Sequence, residues 1–245
     1  MLRVAHVVSR GSVRGIDVRN LGPAGVGRTV IVDLDDNELF QNTAMNGQGF
    51  RFVNSNADGA SIVATLHNNR SHDNNQGFLV SNERSRQASI SIDSHNDRFE
   101  DNMIGGVIFG GLATAAGTFG GNTVTFTMHA GWITGSHGSV PPQNLTAVLN
   151  VIGGAFTPPA GTPNSESLNA IQVSIWGTKF NDNAAFDIEA WGAKSLTTDL
   201  AGTKNVVTVD VHGVSAQAHS LVHDSVPDEA ADTNRATIDA NMNER

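Results

Sequence analysis

The sequence of 245 residues contains no cysteine. Disulfides, thiolate metal sites and cysteine nucleophiles are therefore excluded. It also has no apolar run long enough to span a bilayer, so we expect no contact with a membrane. Residues 1–12 do not form a signal-peptide pattern, because charged side chains interrupt the apolar positions. The localisation is left open, and a secreted or cell-surface place is favoured if a leader has been removed.

Positive charge is scarce: the sequence has 15 basic and 24 acidic residues, and the net charge is -9. Nucleic-acid binding needs a basic stripe, and none is visible, so we predict no nucleic-acid partner. No HExxH zinc pattern and no glycine-rich phosphate loop followed by a helix occurs, so we predict no cofactor and no metal. The acidic turn Asp35-Asp36-Asn37 could hold Ca²⁺, but only if several oxygen ligands converge.

What the sequence does contain is an irregular repeat built around asparagine and glycine. Its markers Asn42, Asn74, Asn102 and Asn183 are separated by 32, 28 and 81 residues. The last interval equals about three periods of 27. Repeats of this length are typical of solenoids, in which each unit buries its apolar face only by stacking on its neighbours.

Six segments alternate apolar and polar residues, which predicts strands with one buried side. They are residues 29–34, 60–66, 88–93, 122–128, 170–175 and 206–211. A polar or glycine turn follows each segment, as in Asp35-Asp36-Asn37. Asparagine and glycine tolerate the left-handed backbone of a sharp corner, so each unit reads as strand, corner, short strand, turn and glycine-led strand.

One unit combines Ile90-Ser91-Ile92, Asn96, Phe99, Asp101-Asn102 and Gly106-Val107-Ile108. With its counterparts over residues 14–215, it resembles the loose repeats of the pectin-lyase-like superfamily. The resemblance implies an all-β fold, a single-stranded right-handed parallel β-helix of about six to eight coils. This domain would cover residues 1–226, with 227–245 as an acidic tail or short capping segment. The superfamily includes lyases, hydrolases, epimerases, adhesins and phage spikes, so the fold does not fix the activity.

Within such a solenoid we expect the four marker asparagines to be structural, bonding from coil to coil. Alternation along the glycine-led strands predicts two sets of side chains. Those expected to point inward are Phe50, Phe52, Phe78, Val80, Val107, Phe109 and Phe186. Those expected to point outward are Arg51, Leu79, Ile108, Asp187 and Glu189.

The outward face of the glycine-led sheet is where superfamily members generally bind polysaccharide. On it we predict a catalytic carboxylate pair, Asp187 and Glu189, with Cβ atoms roughly 6–7 Å apart. Arg51, Leu79 and Trp191 are the predicted substrate-binding residues. The alternative interpretation of the pair is an acidic surface strand without a role.

A second candidate cluster lies at successive corners of the repeat. It includes His72, Asp73, Arg98 and Asp101 as further catalytic candidates for acid–base chemistry. Stacking also predicts one column of Asp35, His67 and His95 and another of Arg70 and Arg98. The alternative is that these residues only bond the backbone and their neighbours.

The leading hypothesis is a polysaccharide lyase or hydrolase that binds glycan on the outward face of the glycine-led sheet. The alternative is a noncatalytic adhesin, spike or assembly module that binds glycan or protein. A third hypothesis is an intracellular enzyme for a small molecule. The unpaired strand edges at the ends of an open solenoid further predict self-association.

Overall fold

The structure, a computed structural model, describes residues 1–22, 27–44, 47–114, 117–137, 145, 147–156, 164–180, 183, 186–195, 204–213, 215–216, 220–226 and 234–241. These residues form strands and turns and include no helix. Within them there is accordingly no helical segment that could cross a membrane.

The strands, numbered in chain order, form three long sheets and one short one. Sheet A contains β1 (Leu2–Ala5), β4 (Thr29–Asp35), β7 (Ser61–His67), β10 (Ser89–His95), β14 (Thr123–His129), β18 (Ala170–Trp176), β21 (Val206–His212) and β24 (Arg235–Asn241). Sheet B contains β2 (Val8–Arg10), β5 (Glu38–Phe40), β8 (Arg70–His72), β11 (Arg98–Glu100), β15 (Trp132–Thr134), β19 (Lys179–Phe180) and β22 (Ser215–Ala216). Sheet C contains β3 (Arg14–Leu21), β6 (Gln48–Ser55), β9 (Gln76–Glu83), β12 (Ile104–Ala113), β16 (Ala147–Phe156), β20 (Phe186–Ser195) and β23 (Ser220–Val226). The short sheet pairs β13 (Gly117–Gly120) with β17 (Asn164–Ser167).

The chain visits sheets A, B and C in turn, and every strand pairs in parallel with its equivalent in the next coil. This arrangement confirms the predicted parallel β-solenoid. The sheets hold eight, seven and seven strands, within the predicted range of coils. All six predicted alternating segments are strands of sheet A. In β7, for example, Ile62, Ala64 and Leu66 are buried, while the residues between them face outward.

A column of residues with left-handed backbone joins sheet A to sheet B. Their φ angles lie between 51° and 61°. The members are His6, Asp36, Asn68, Asn96, Ala130, Gly177 and Gly213. Each directly follows the last residue of a strand of sheet A. This conformation favours glycine and asparagine, which confirms the predicted role of the polar corners.

The marker asparagines form a column at the turn from sheet B to sheet C, in which Asn42, Asn74 and Asn102 are buried and Asn183 is half-buried. The backbone N–H of Asn42 donates to Oδ1 of Asn74 at 2.9 Å, and that of Asn74 donates to Oδ1 of Asn102 at 3.0 Å. In the next coil, the N–H of Ser136 donates to Oδ1 of Asn183 of the following coil at 3.1 Å. The side chains thus satisfy backbone donors that the turns leave unpaired, as predicted.

The core contains Phe50, Phe52, Phe78 and Val80, which confirms their predicted inward orientation. The ring of Phe78 packs between Phe99 and Phe126, with centroid distances of 4.7 and 5.1 Å.

In β12, however, the predicted alignment is wrong by one residue. Gly106, not Val107, pairs with Phe78. The ring of Phe78 fills the space beside Gly106, where a Cβ atom on residue 106 would clash with Cζ of that ring. Val107 and Phe109 therefore belong to an outer apolar cluster, and Ile108 belongs to the core.

The register of β20 also differs from the prediction. Ile188 pairs with Leu149 of β16, and Leu149 pairs with Gly106 of β12. The column of Phe50 and Phe78 therefore continues into Ile188 and not into Phe186, which pairs with Ala147. Ile188 stands five residues after Asn183, whereas Phe78 and Gly106 each stand four residues after Asn74 and Asn102, so the spacing from the marker does not fix the register.

The ends of the solenoid carry edge strands of all three sheets. Leu2, Val8, Val13 and Leu21 of the first coil are more than half exposed. At the other end, the segment predicted as a tail or cap includes β24, which pairs in parallel with β21. Self-association through these ends stays a prediction.

Candidate functional site

The outer face of sheet C, predicted to be the binding groove, is buried from β6 to β20 wherever its side chains are described, apart from the half-buried Glu83. Only the first strand, β3, exposes outer residues, Arg19 and Leu21. Arg51, Leu79 and Trp191 are only 7–8% exposed. Leu79 and Trp191 belong to the outer apolar cluster, which also contains Leu145 from the segment between β15 and β16. Arg51 forms ion pairs with Asp17 at 3.3 Å and Glu83 at 3.1 Å. A ligand would have to displace these contacts to reach this face.

The predicted catalytic pair is buried as well, so its expected exposure is wrong. Asp187 is 4% exposed and Glu189 is 2% exposed. Oδ1 of Asp187 accepts a hydrogen bond at 2.8 Å from Nδ2 of Asn183, the residue that also caps Ser136. Glu189 pairs with Asn150 in the column that contains Val107 and Leu79. A catalytic role for the pair stays untested.

The predicted corner cluster divides into separate groups. His72 faces outward from sheet B, where its ring stacks on Phe40 with a centroid distance of 5.0 Å. Its Nδ1 lies 2.7 Å from Asp73 and its Nε2 lies 3.2 Å from Glu38. Asp101 occupies the equivalent left-handed corner one coil after Asp73. Arg98 is not in this group.

Asp97, between Arg98 and the preceding corner, faces the interior. It continues a second column, in which Asn37 donates to Asn69 and Asn69 donates to Asp97. The Oδ1 atom of Asp97 accepts from the backbone N and from Nδ2 of Asn69, and its Oδ2 accepts from Oγ of Ser94. Burial raises the pKa of Asp97 to about 6, although these hydrogen bonds oppose the shift.

The acidic turn considered for Ca²⁺ does not gather its side chains. Asp35 contacts Arg3 at 2.9 Å and Asp36 contacts His6 at 2.9 Å. Asn37 is buried and accepts from the backbone of Val7. The side-chain oxygens of these three residues thus have different partners, and the predicted absence of a bound metal stays untested.

An open groove lies along the outer face of sheet B, beside the corner from sheet A. Its volume is about 460 Å³. The lining consists of polar side chains and one indole: Asp36, Asn37, Glu38, Asn68, Arg70, Asn96, Arg98 and Trp132. In the groove, Arg70 bridges Glu38 at 3.3 Å and Glu100 at 2.9 Å. The hydrogen bond to Glu100 raises the pKa of the Arg70 guanidinium, with Glu38 adding to the effect.

At one end of the groove an indole stands between two cations. The parallel register places Arg98, Trp132 and Lys179 side by side on three consecutive strands. The guanidinium carbon of Arg98 lies 4.4 Å from the ring centroid, and Nζ of Lys179 lies 5.6 Å from it. Neither cation has a carboxylate within ion-pair distance among the residues that the structure describes. In a chain with a net charge of -9, this column is a local positive surface.

On the other side of the corner, the last residues of five consecutive sheet A strands, β7 to β21, form a column of rings. The predicted column of Asp35, His67 and His95 is confirmed by the strand register. It continues into His129, Trp176 and His212, which sequence reasoning missed. The rings of His95 and His129 are stacked with a centroid distance of 4.9 Å.

The residues that line this face of sheet B share one position relative to the strands of sheet A, and of them sequence reasoning missed Glu38, Trp132 and Lys179. Glu38, Arg70, Arg98, Trp132 and Lys179 each stand three residues after the last residue of a sheet A strand. The predicted column of Arg70 and Arg98 is therefore confirmed and extends in both directions.

Comparisons with known proteins name no relative. No protein-family model matches the chain, and neither the curated proteins nor the solved structures include a significant match. The chemistry of the groove alone must therefore support a functional proposal.

Proposed function

We propose that this β-solenoid binds an acidic glycan along the outer face of sheet B. The observation that carries the proposal is the column of Arg98, Trp132 and Lys179, in which two cations without carboxylate partners in the described chain flank an indole. A uronate or sulfated sugar supplies the negative charge that such a column attracts.

Each part of the groove has a matching group on a saccharide. The planar guanidinium of Arg98 can donate two parallel hydrogen bonds to a carboxylate or sulfate, and Lys179 adds a flexible ammonium. Trp132 offers apolar surface to the C–H groups of a sugar ring. Asp36, Asn68 and Asn96 provide both donors and acceptors for hydroxyl groups. The volume of about 460 Å³ lies within the range of ligand pockets.

A calorimetric titration with oligogalacturonate and with its neutral methyl ester tests the proposal. We expect the acidic oligomer to bind and the ester to bind at least about tenfold more weakly, because a hydrogen bond to a charged group contributes about 1.5–3 kcal/mol. Arg98→Ala and Lys179→Ala should each weaken binding by a similar factor.

The matched control is Arg10→Ala on the same sheet. Arg10 lies over Phe40 at 5.7 Å but outside the groove, so its loss should not change the affinity. Equal affinity for the acidic oligomer and its ester, or for wild type and Arg98→Ala, would contradict the proposal. A protein that binds without cleaving its ligand would fit the adhesin, spike or assembly role.

Polysaccharide cleavage is the second candidate function, and the contacts of His72 favour it. Both ring nitrogens lie within 3.2 Å of a carboxylate, Asp73 on one side and Glu38 on the other. This arrangement orients an imidazole for acid–base chemistry next to the groove that Glu38 lines.

New reducing ends or unsaturated, ultraviolet-absorbing products from acidic polysaccharides would reveal such activity. We expect His72→Ala to abolish turnover while binding is retained. Activity that instead depends on Asp187→Asn or Glu189→Gln would move the reaction to sheet C. Absence of products from every substrate would leave binding as the function.

A further inference from the structure

Three side chains with metal-ligating atoms converge on the outer face of sheet A. Asp93 and His95 are two residues apart on β10, and His129 lies beside His95 on β14. Oδ1 of Asp93 is 3.0 Å from Nε2 of His95. One ligand atom from each of the three residues lies within 4.8 Å of the others.

We infer that Asp93, His95 and His129 form a binding site for a divalent transition-metal ion such as Zn²⁺, Cu²⁺ or Ni²⁺. Imidazole nitrogen and carboxylate oxygen are donors that these ions accept, and two histidines with one carboxylate are a recurrent ligand set. The site is independent of the groove on sheet B and of any glycan.

The strand geometry brings the donors close to a ligating arrangement. The parallel strands hold the imidazoles of His95 and His129 face to face, with 4.9 Å between the ring centroids and an angle of 15° between the ring planes. Two nitrogens bound to one tetrahedral Zn²⁺ at about 2.0–2.1 Å lie about 3.3 Å apart. The ligand atoms now lie within 4.8 Å of one another. Rotation of the two half-buried histidine side chains about χ1 and χ2 would turn their nitrogens toward one ion without moving the backbone.

Neighbouring positions in the same column lack one part of the set. On β7, His67 follows Thr65 and not an aspartate. On β21, Asp210 and His212 repeat the spacing of Asp93 and His95, but the adjacent ring on β18 is Trp176, which stacks on His212 at 4.1 Å. His67 also lies beside His95, with a ring-centroid distance of 5.2 Å. Among the described residues, however, only Asp93, His95 and His129 bring one ligand atom each within 4.8 Å of one another.

Titration of the untagged protein with ZnCl₂ by isothermal calorimetry at pH 7.5 tests the inference. We expect one Zn²⁺ per chain. His95→Ala and His129→Ala should each weaken the affinity at least about a hundredfold, since the loss of even an indirect supporting residue typically costs 10- to 100-fold. The matched control His212→Ala should change it by less than about twofold, because it lies two strands away from His129.

Electron paramagnetic resonance of the Cu²⁺ complex provides a second readout. Nitrogen hyperfine splitting should indicate two imidazole ligands in the wild type and one in His129→Ala. Circular dichroism confirms that these surface variants fold. Absence of Zn²⁺ binding to the wild type, or binding that survives both His95→Ala and His129→Ala, would overturn the inference.

Discussion

Replacing Asp97 with asparagine should stabilise the protein, and more so as the pH rises. Asp97 is fully buried in a column whose two preceding members are already asparagines, Asn37 and Asn69. Asparagine keeps the Oδ1 acceptor for both bonds from Asn69. Its Nδ2 can donate to Oγ of Ser94, which now donates to Oδ2 of Asp97. The substitution therefore removes a buried charge without removing a bond.

The magnitude follows from the pKa of Asp97, which burial raises from 3.8 to about 6. Because the folded state binds the proton more tightly than the unfolded state, this group stabilises the fold below pH 4. That contribution is lost as the pH rises through about 6. At 1.36 kcal/mol per unit, the change amounts to about 3 kcal/mol.

Urea unfolding of wild type and Asp97→Asn at pH 4 and pH 8 measures this effect. The free energy of unfolding of the variant, relative to wild type, should increase by up to about 3 kcal/mol between the two pH values. All other titrating groups are common to both proteins and cancel in the comparison. A difference that does not depend on pH, or one that favours the wild type more at pH 8, would refute the reasoning.

Other substitutions test the packing and the asparagine column. Phe78→Ala removes a ring that is 1% exposed and should lower the free energy of unfolding by about 3–5 kcal/mol. Gly106→Ala places a Cβ 2.0 Å from that ring, so it should destabilise the wild type but much less the Phe78→Ala background; an additive double-mutant cycle would contradict this. Asn74→Ala deprives the buried N–H of Asn42 of its acceptor and should lower the free energy of unfolding by about 1–3 kcal/mol in urea. Asn75→Ala, in which only bonds to an exposed turn are lost, should have the smaller effect.

The architecture could be predicted from the sequence because each repeat carries its own local signals. Alternating residues mark the strands of sheet A, and asparagine or glycine marks each corner. In β7, β10 and β14, these signals recur with the same order of strand and corner. Stacking then follows, since no single coil can bury its apolar side alone.

The register of sheet C could not be predicted to the residue. Gly105 and Gly106 both fit the start of a glycine-led strand, and only the ring of Phe78 decides between them. A one-residue error exchanges the two faces of a strand, so the inward orientation predicted for Val107 is wrong. The later coils are separated from the earlier ones by longer connections, which removes the fixed interval that guided the alignment.

The groove on sheet B was missed for a related reason. Arg98 and Trp132 are 34 residues apart, and Trp132 and Lys179 are 47 apart, so no constant period links the column. Burial of the outer face of sheet C was also not apparent, because it depends on segments such as the one that contains Leu145. A rule based on position after each sheet A strand would have found the column.

The location of a bound glycan tests the account most directly. A crystal structure of the protein with an oligogalacturonate should show the sugar on the outer face of sheet B, with a carboxylate between Arg98 and Lys179 and a ring against Trp132. Density on the outer face of sheet C, around Glu189 and Trp191, would contradict the account.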